Sequence, residues 1–424
     1  MMTDNDFTFM TSTQLGAPQM NGSTTSNGQL LQVLDGALID GFNQLTPTSL
    51  TYDTSSVVLT YAENHGYQKK QLILISGATL AVLNGRHRIS STTDKTVTIK
   101  IVGVTDVTGV ITTKVAPLGF ESMFGSSDPL KRAYRSSNTL GTRTVLYLDM
   151  TILPAHGYAA TNPAKRAIVS MCEDMTVLGV QQNSYTDAKN NFTKNPTGSL
   201  FWYQSRFVNK TTAVTSEKNN QWIIAGNRDF FVLIQDWHTF DPAAGLYKDI
   251  YMFGDVESYG GASDRYNCIW LGSMTENDAD TDVRYASNGG RFGGNPAVAL
   301  QVQGYFISDY TGVSALDPMC LTISGLVGAV SSGMSITASP YTSFIPEYPN
   351  AISSGIVTTS VYALTKTGYR ARIPCLLCIP MGMGELPTYN MTWMGDVFLS
   401  AVHGQRSVSS ASTGYVAVDP TGEL

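Results

Sequence analysis

A mainly β chain, with several antiparallel sandwich or barrel modules behind an extended N-terminal arm and one short helix, is the architecture this sequence predicts. Three observations carry that prediction. Short β-branched and aromatic runs alternate with clusters of Gly, Asn and Asp, as strands and tight turns require. Charged residues make up 14% of the 424 positions, against roughly 25% in an ordinary soluble domain. Gly, Ser, Thr and Asn fill the difference and suit turn-rich sheets.

Residues 1–29 are polar, without an apolar period, and are expected as an extended arm that orders against a neighbour. Leu30, Leu34, Leu38 and Phe42 then recur every four residues and predict a short amphipathic helix, capped through Asn27-Gly28. Gly36 and Gly41 weaken such a helix in isolation, so its apolar face is expected to dock on another subunit. On this reading residues 1–45 are an arm and docking helix, and deleting residues 1–42 leaves a folded body.

From 46 to 116 the apolar period becomes two. Val57–Tyr61, Leu72–Ile75 and Thr96–Ile101 are expected strands of a small β module, with turns at His65-Gly66-Tyr67, Ser76-Gly77-Ala78 and Leu83-Asn84-Gly85. A central β domain is expected over 117–275. Its aromatic segments between Phe201 and Ser273 read as one antiparallel meander, with Gly226-Asn227-Arg228-Asp229 as a turn. Residues 276–424 form a C-terminal β region, with strands near 299–307, 320–330, 356–364 and 369–378.

Several function classes are excluded at this level. The net charge is −6 with no block of Lys or Arg, so nucleic acid is not an expected partner. No apolar run approaches ~18 residues, so no membrane span is expected. The first residues lack the basic and apolar regions of a signal peptide. The five cysteines, Cys172, Cys268, Cys320, Cys375 and Cys378, are odd in number and widely spaced, which fits reduced thiols in a cytosol.

Candidate chemistry is sparse. Cys375-Leu376-Leu377-Cys378 is a single CxxC without the second ligand pair that zinc needs, and a strand sends its two thiols to opposite faces. Asp278, Asp280 and Asp282 alternate as in calcium loops, but Val283 and Gly289 stand where an EF-hand needs Gly and Glu. His65, His156 and His403 each precede a Gly and read as turn residues rather than bases. Gly289–Gly294 lacks the strand–turn–helix setting of a phosphate loop. Carboxylates beside aromatic platforms are what a sugar site uses, and Trp202, Trp222, Trp237, Asp229 and Asp236, with Asp241 and Asp255 nearby, are the candidate receptor or glycan contacts. The competing reading is that these tryptophans fill a core and these aspartates sit in turns. No catalytic residue, cofactor or metal is expected.

Several short segments recur in one order: Leu31–Asn43, His65-Gly66-Tyr67, Ile75–Ala78, Leu83-Asn84-Gly85, Ala116–Phe120, Lys131–Ser136, Glu173–Thr176, Trp222–Phe230, Phe253–Val256, Tyr348-Pro349-Asn350 and Tyr369–Pro374. Together, over roughly Leu30 to Gly404, this set resembles a family of virion structural proteins of tailed bacteriophages and their prophages. The segments 151–164 and 274–297 fit the pattern poorly. The resemblance implies a non-enzymatic protein that acts by subunit–subunit assembly, at the tail or baseplate, with the neck or a decorating position on the capsid surface as alternatives. It implies other virion proteins and copies of itself as partners, a host surface glycan if the protein binds a receptor, and assembly in the host cytoplasm.

Overall fold

The computed structural model describes residues 7–21, 28–104, 107–151, 165–184, 200–205, 219–236, 248–256, 268–272, 303–307, 316–323, 329–330, 336–337, 350–351, 357–365, 368–379, 392–394, 397–403 and 413–419. Among them the chain is mainly β, every strand pair is antiparallel, and the only α-helix is Gln29–Asp35.

The alternating segment after the helix folds into a seven-stranded sheet between Phe42 and Val115. Ser56–Thr60 and Thr96–Lys100 are its clearest products of period two: Val57, Leu59, Val97 and Ile99 are fully buried while their neighbours are half-exposed. Gly85–Thr92 and Gly109–Val115 complete the ladder, although no regular alternation announces them.

A second, six-stranded sheet runs Phe120–Ser122, Lys131–Ser136, Val145–Asp149, Lys165–Val177, Val180–Ser184, with Leu200–Ser205 also pairing on Lys165–Val177. The segment Phe201-Trp202-Tyr203 therefore leaves the expected meander. Its strand joins the second sheet, and its Trp202 side chain reaches the third.

That third sheet has thirteen strands. Trp222–Gly226, Phe230–Asp236, Lys248–Asp255 and Cys268–Gly272 follow one another as hairpin neighbours, as the Gly/Asn/Asp turns predict. The ladder then continues through Gln303–Ile307, Leu316–Ile323, Val357–Thr365, Gly368–Ile379 and Thr413–Val418 to Val397–His403 and Thr392–Met394. The expected loops at 278–282 and 289–294 lie outside the described residues.

The N-terminal segment corrects the first expectation. Residues 7–21 do not stand away from the body as an arm. Thr8–Thr11 is an edge strand of the large sheet, paired with Trp222–Gly226, and Phe7, Phe9, Met10 and Met20 are buried. Its free edge is covered by the small sheet: Leu72 N–H donates to Thr8 Oγ1 at 2.9 Å, Gln71 Nε2 to Phe9 O at 3.0 Å, and Arg88 to Phe7 O at 2.7 Å. A bare sheet edge invites pairing with another chain; here the chain's own side chains occupy it.

The helix forms where the four-residue period predicts, but its face is not free. Leu30, Leu34 and Leu38 are fully buried, and so are Leu31, Val33 and Ala37. Phe42 is buried in the strand Phe42–Leu45 rather than on the helix. All four residues expected to dock on another subunit are thus covered by this chain's own core. Gly36, a weak helix former, lets Pro18 of the N-terminal segment approach closely: a Cβ there would lie 2.7 Å from Pro18 Cγ. No side chain of the helix caps its N-terminus. Gln204 Oε1, from the second sheet, accepts Gln29 N–H at 2.9 Å instead. After Asp35 the backbone widens into a π-helical turn, Gly36–Asp40. Leu118 and Gly119 N–H then satisfy Ala37 O and Leu38 O at 2.8 and 3.0 Å.

Candidate functional site

The aromatic and acidic candidates converge where the large and second sheets meet, and mostly in roles other than those expected. Trp202 and Trp222 are fully buried. Trp202 stacks on Tyr251 with ring centroids 5.3 Å apart and meets Phe231 edge-on at 5.9 Å. Trp222 donates its indole N–H to Pro18 O at 3.0 Å. Neither offers a face to a sugar, so the competing core reading holds for both. Asp236 ends its strand opposite Lys248; Trp237 and Asp241 lie outside the described residues.

Asp229 and Asp255 come together. Asp229 sits in the turn between Trp222–Gly226 and Phe230–Asp236, where Asn227 Oδ1 accepts the Asp229 and Phe230 N–H groups at 2.9 and 3.0 Å. Asp255 N–H donates to Asp229 O at 2.8 Å, which locks the two residues side by side. Gly254, at φ +125°, permits this approach; a Cβ there would lie 2.1 Å from Asp229 O.

The two carboxylates hold the loop 137–144 of the second sheet. Ser136 Oγ donates to Asp229 Oδ1 at 2.8 Å and Asn138 Nδ2 to Asp229 Oδ2 at 3.2 Å. Thr142 N–H donates to Asp255 Oδ2 at 2.7 Å and Thr142 Oγ1 to Asp255 Oδ1 at 2.5 Å. Burial pushes the Asp255 carboxyl up to about 6; the Thr142 bonds oppose this and the Asp229 charge adds to it. The group thereby exchanges a proton near neutrality. Enclosed by Thr142 and Gly141, it is placed to tie a loop rather than to receive a substrate.

A second buried polar junction was not foreseen. Arg132 Nε donates to both Asp35 oxygens at 3.1 and 2.9 Å, and Tyr134 Oη to Asp35 Oδ1 at 2.7 Å. Arg132 also reaches the Asp128 and Lys131 carbonyls. This anchors the end of the helix to the second sheet. The one cue in sequence is an Asp at the end of a Leu-rich helix; its partners lie nearly one hundred residues away.

In the small sheet, His65 stacks on Tyr67 with centroids 5.2 Å apart. Its Nδ1 accepts Tyr67 N–H at 3.0 Å, so Nε2 carries the proton, facing Thr96 O at 3.2 Å. Burial holds its pKa below the ordinary 6.5. The expected turn role stands, as a fixed, neutral ring. Cys172 and Cys375 are buried thiols, and burial pushes both up, Cys172 to about 12, which makes them poor nucleophiles. The Cys378 side chain is outside the described ones. Among the described residues no group of three His, Cys, Asp or Glu side chains is disposed to hold a metal. No described helix is long and apolar enough to cross a membrane.

No protein-family model matches the chain, and no curated protein does.

Proposed function

We propose that this chain is a structural subunit of a tailed-bacteriophage particle that acts by subunit–subunit assembly. A tail or baseplate position is the leading placement; the neck and the capsid surface are the alternatives. The observation that carries this reading is the convergence of segments that bear the family resemblance. Leu31–Asn43 meets Lys131–Ser136 through Asp35, Arg132 and Tyr134. It meets Ala116–Phe120 through the helix-end carbonyls. Trp222–Phe230 and Phe253–Val256 meet Ser136 and its following loop through Asp229 and Asp255.

Segments that carry the resemblance thus include contacts that join one sheet to the next. Among the described candidates, Asp229 and Asp255 serve those joints and Trp202 and Trp222 fill the core, which suits a rigid building block. Closed symmetric assembly from repeated copies is the expected arrangement. A glycan- or receptor-binding role loses Trp202 and Trp222 as platforms.

The test is immunogold imaging of intact particles with serum raised against the purified chain. Label confined to the tail, neck or capsid supports the reading and chooses among the placements. Absence of label, together with absence of the chain from dissociated particles, overturns it.

A further inference from the structure

We infer that the loop 137–144 is an acid-closed clasp: a proton on Asp255 holds it down, and ionisation of Asp255 beside Asp229 releases it. The pair cannot relax by moving apart. The Asp255 N–H to Asp229 O bond fixes the two backbones, and the adjoining hairpin strands are buried. Gly141 sits between the two carboxyls: a Cβ built on it would lie 2.7 Å from Asp255 Oδ2 and 3.7 Å from Asp229 Oδ1. Asp229 is 5% exposed. Two negative charges confined there repel in a medium that screens poorly. The element free to yield is the loop, whose tip residue Leu140 is 92% exposed.

Among the described residues no cation bonds to either carboxylate. Arg143, next to Thr142, turns to Glu121 at 2.8 Å, and Arg135 meets the same carboxylate at 3.0 Å. Arg86 donates to Leu118 O at 3.1 Å. Arg228 is exposed beside Gly119. The ladder neighbour of Asp255, Cys268–Gly272, contains no charged residue. Burial favours the protonated form of the Asp255 carboxyl, and among the described residues the charge of Asp229 adds to it.

The sign follows from linkage. The ordinary value of 3.8 is raised to about 6, so the folded loop takes up its proton before the unfolded chain does. The clasp is tightest below the ordinary value and loosens as pH rises through about 6.

Amide hydrogen exchange on the full chain, read on peptides covering 137–144 and corrected for intrinsic rates, tests this. From about pH 5 to about pH 7.5 loop protection should fall roughly tenfold or more, while Val145–Asp149 stays unchanged. Asp255→Asn, a permanent mimic of the protonated acid, should keep the loop protected at both values. Equal wild-type protection at both values, or the same pH-dependent loss in Asp255→Asn, overturns the clasp. If Asp255→Asn fails to fold, Thr142→Val decides. Loss of its hydroxyl donor favours the protonated acid and should move the release midpoint to higher pH; an unmoved midpoint counts against the clasp.

Discussion

In the small sheet, alternate residues of Ser56–Thr60 and Thr96–Lys100 are buried, whereas every residue of Trp222–Gly226 in the large sheet is. The first pattern belongs to a sheet with one face on the core and one in water. The second belongs to a strand covered on both faces. Trp222, Ile224, Phe231 and Leu233 join the helix and the small sheet in one core, and Ile223, Ala225, Val232 and Ile234 are equally buried on the other side. Stability is therefore concentrated where the helix, the N-terminal strand and the first large-sheet strands meet. The outer face of the small sheet tolerates change.

The largest test of that contrast is deletion of residues 1–42. It removes six fully buried helix-segment side chains together with the edge strand Thr8–Thr11, and the expected outcome is an unfolded or aggregated chain by circular dichroism. A folded truncation would show that the two sheets do not share a core. Next, Trp222→Ala should cost roughly 3–5 kcal/mol in urea unfolding, through the lost ring and its Pro18 bond. Arg132→Ala leaves Asp35 without its cation. Asp35 keeps some exposure, at 17%, so about 2–3 kcal/mol is expected, below the range for fully buried pairs.

Smaller effects separate the regions by pH. His65 in the small sheet has a depressed pKa, so the unfolded chain takes its proton first. Its contribution is present above 6.5 and is lost as pH falls below that value. Asp255 has the opposite sign, and its contribution is lost as pH rises through about 6. Thermal unfolding followed across pH should lose its acid limb in His65→Asn, whose Oδ1 can replace Nδ1 as acceptor, and its neutral limb in Asp255→Asn. Loss of the same limb in both variants would contradict the assignment. The smallest effect belongs to the outer face of the small sheet. Val110 is 80% exposed, and Val110→Thr should change stability by no more than about 0.5 kcal/mol.

Local features were legible where one residue's neighbours in sequence are also its neighbours in structure. Period two located Ser56–Thr60 and Thr96–Lys100, and Asn227-Arg228-Asp229 announced its hairpin. Leu30, Leu34 and Leu38 announced the helix but not its destination. An apolar face looks the same in sequence whether another subunit covers it or the chain's own core does. The Asp229–Asp255 pair was in view as part of an acidic group. Its clasped loop was not, because Thr142 and Asp255 are brought together only when the second and large sheets pack.

The residue pattern alone carried the mainly antiparallel β character, the turns and the single helix, since these follow from side-chain branching, alternation and glycine placement. Tertiary structure decided the partners. Ladder hydrogen bonds run between backbones and are nearly blind to residue type, so many strands are locally acceptable neighbours. Burial of particular side chains chose among them. It took Trp202 out of the meander into the second sheet, drew Thr8–Thr11 onto the large one, and set Asp255 against Thr142.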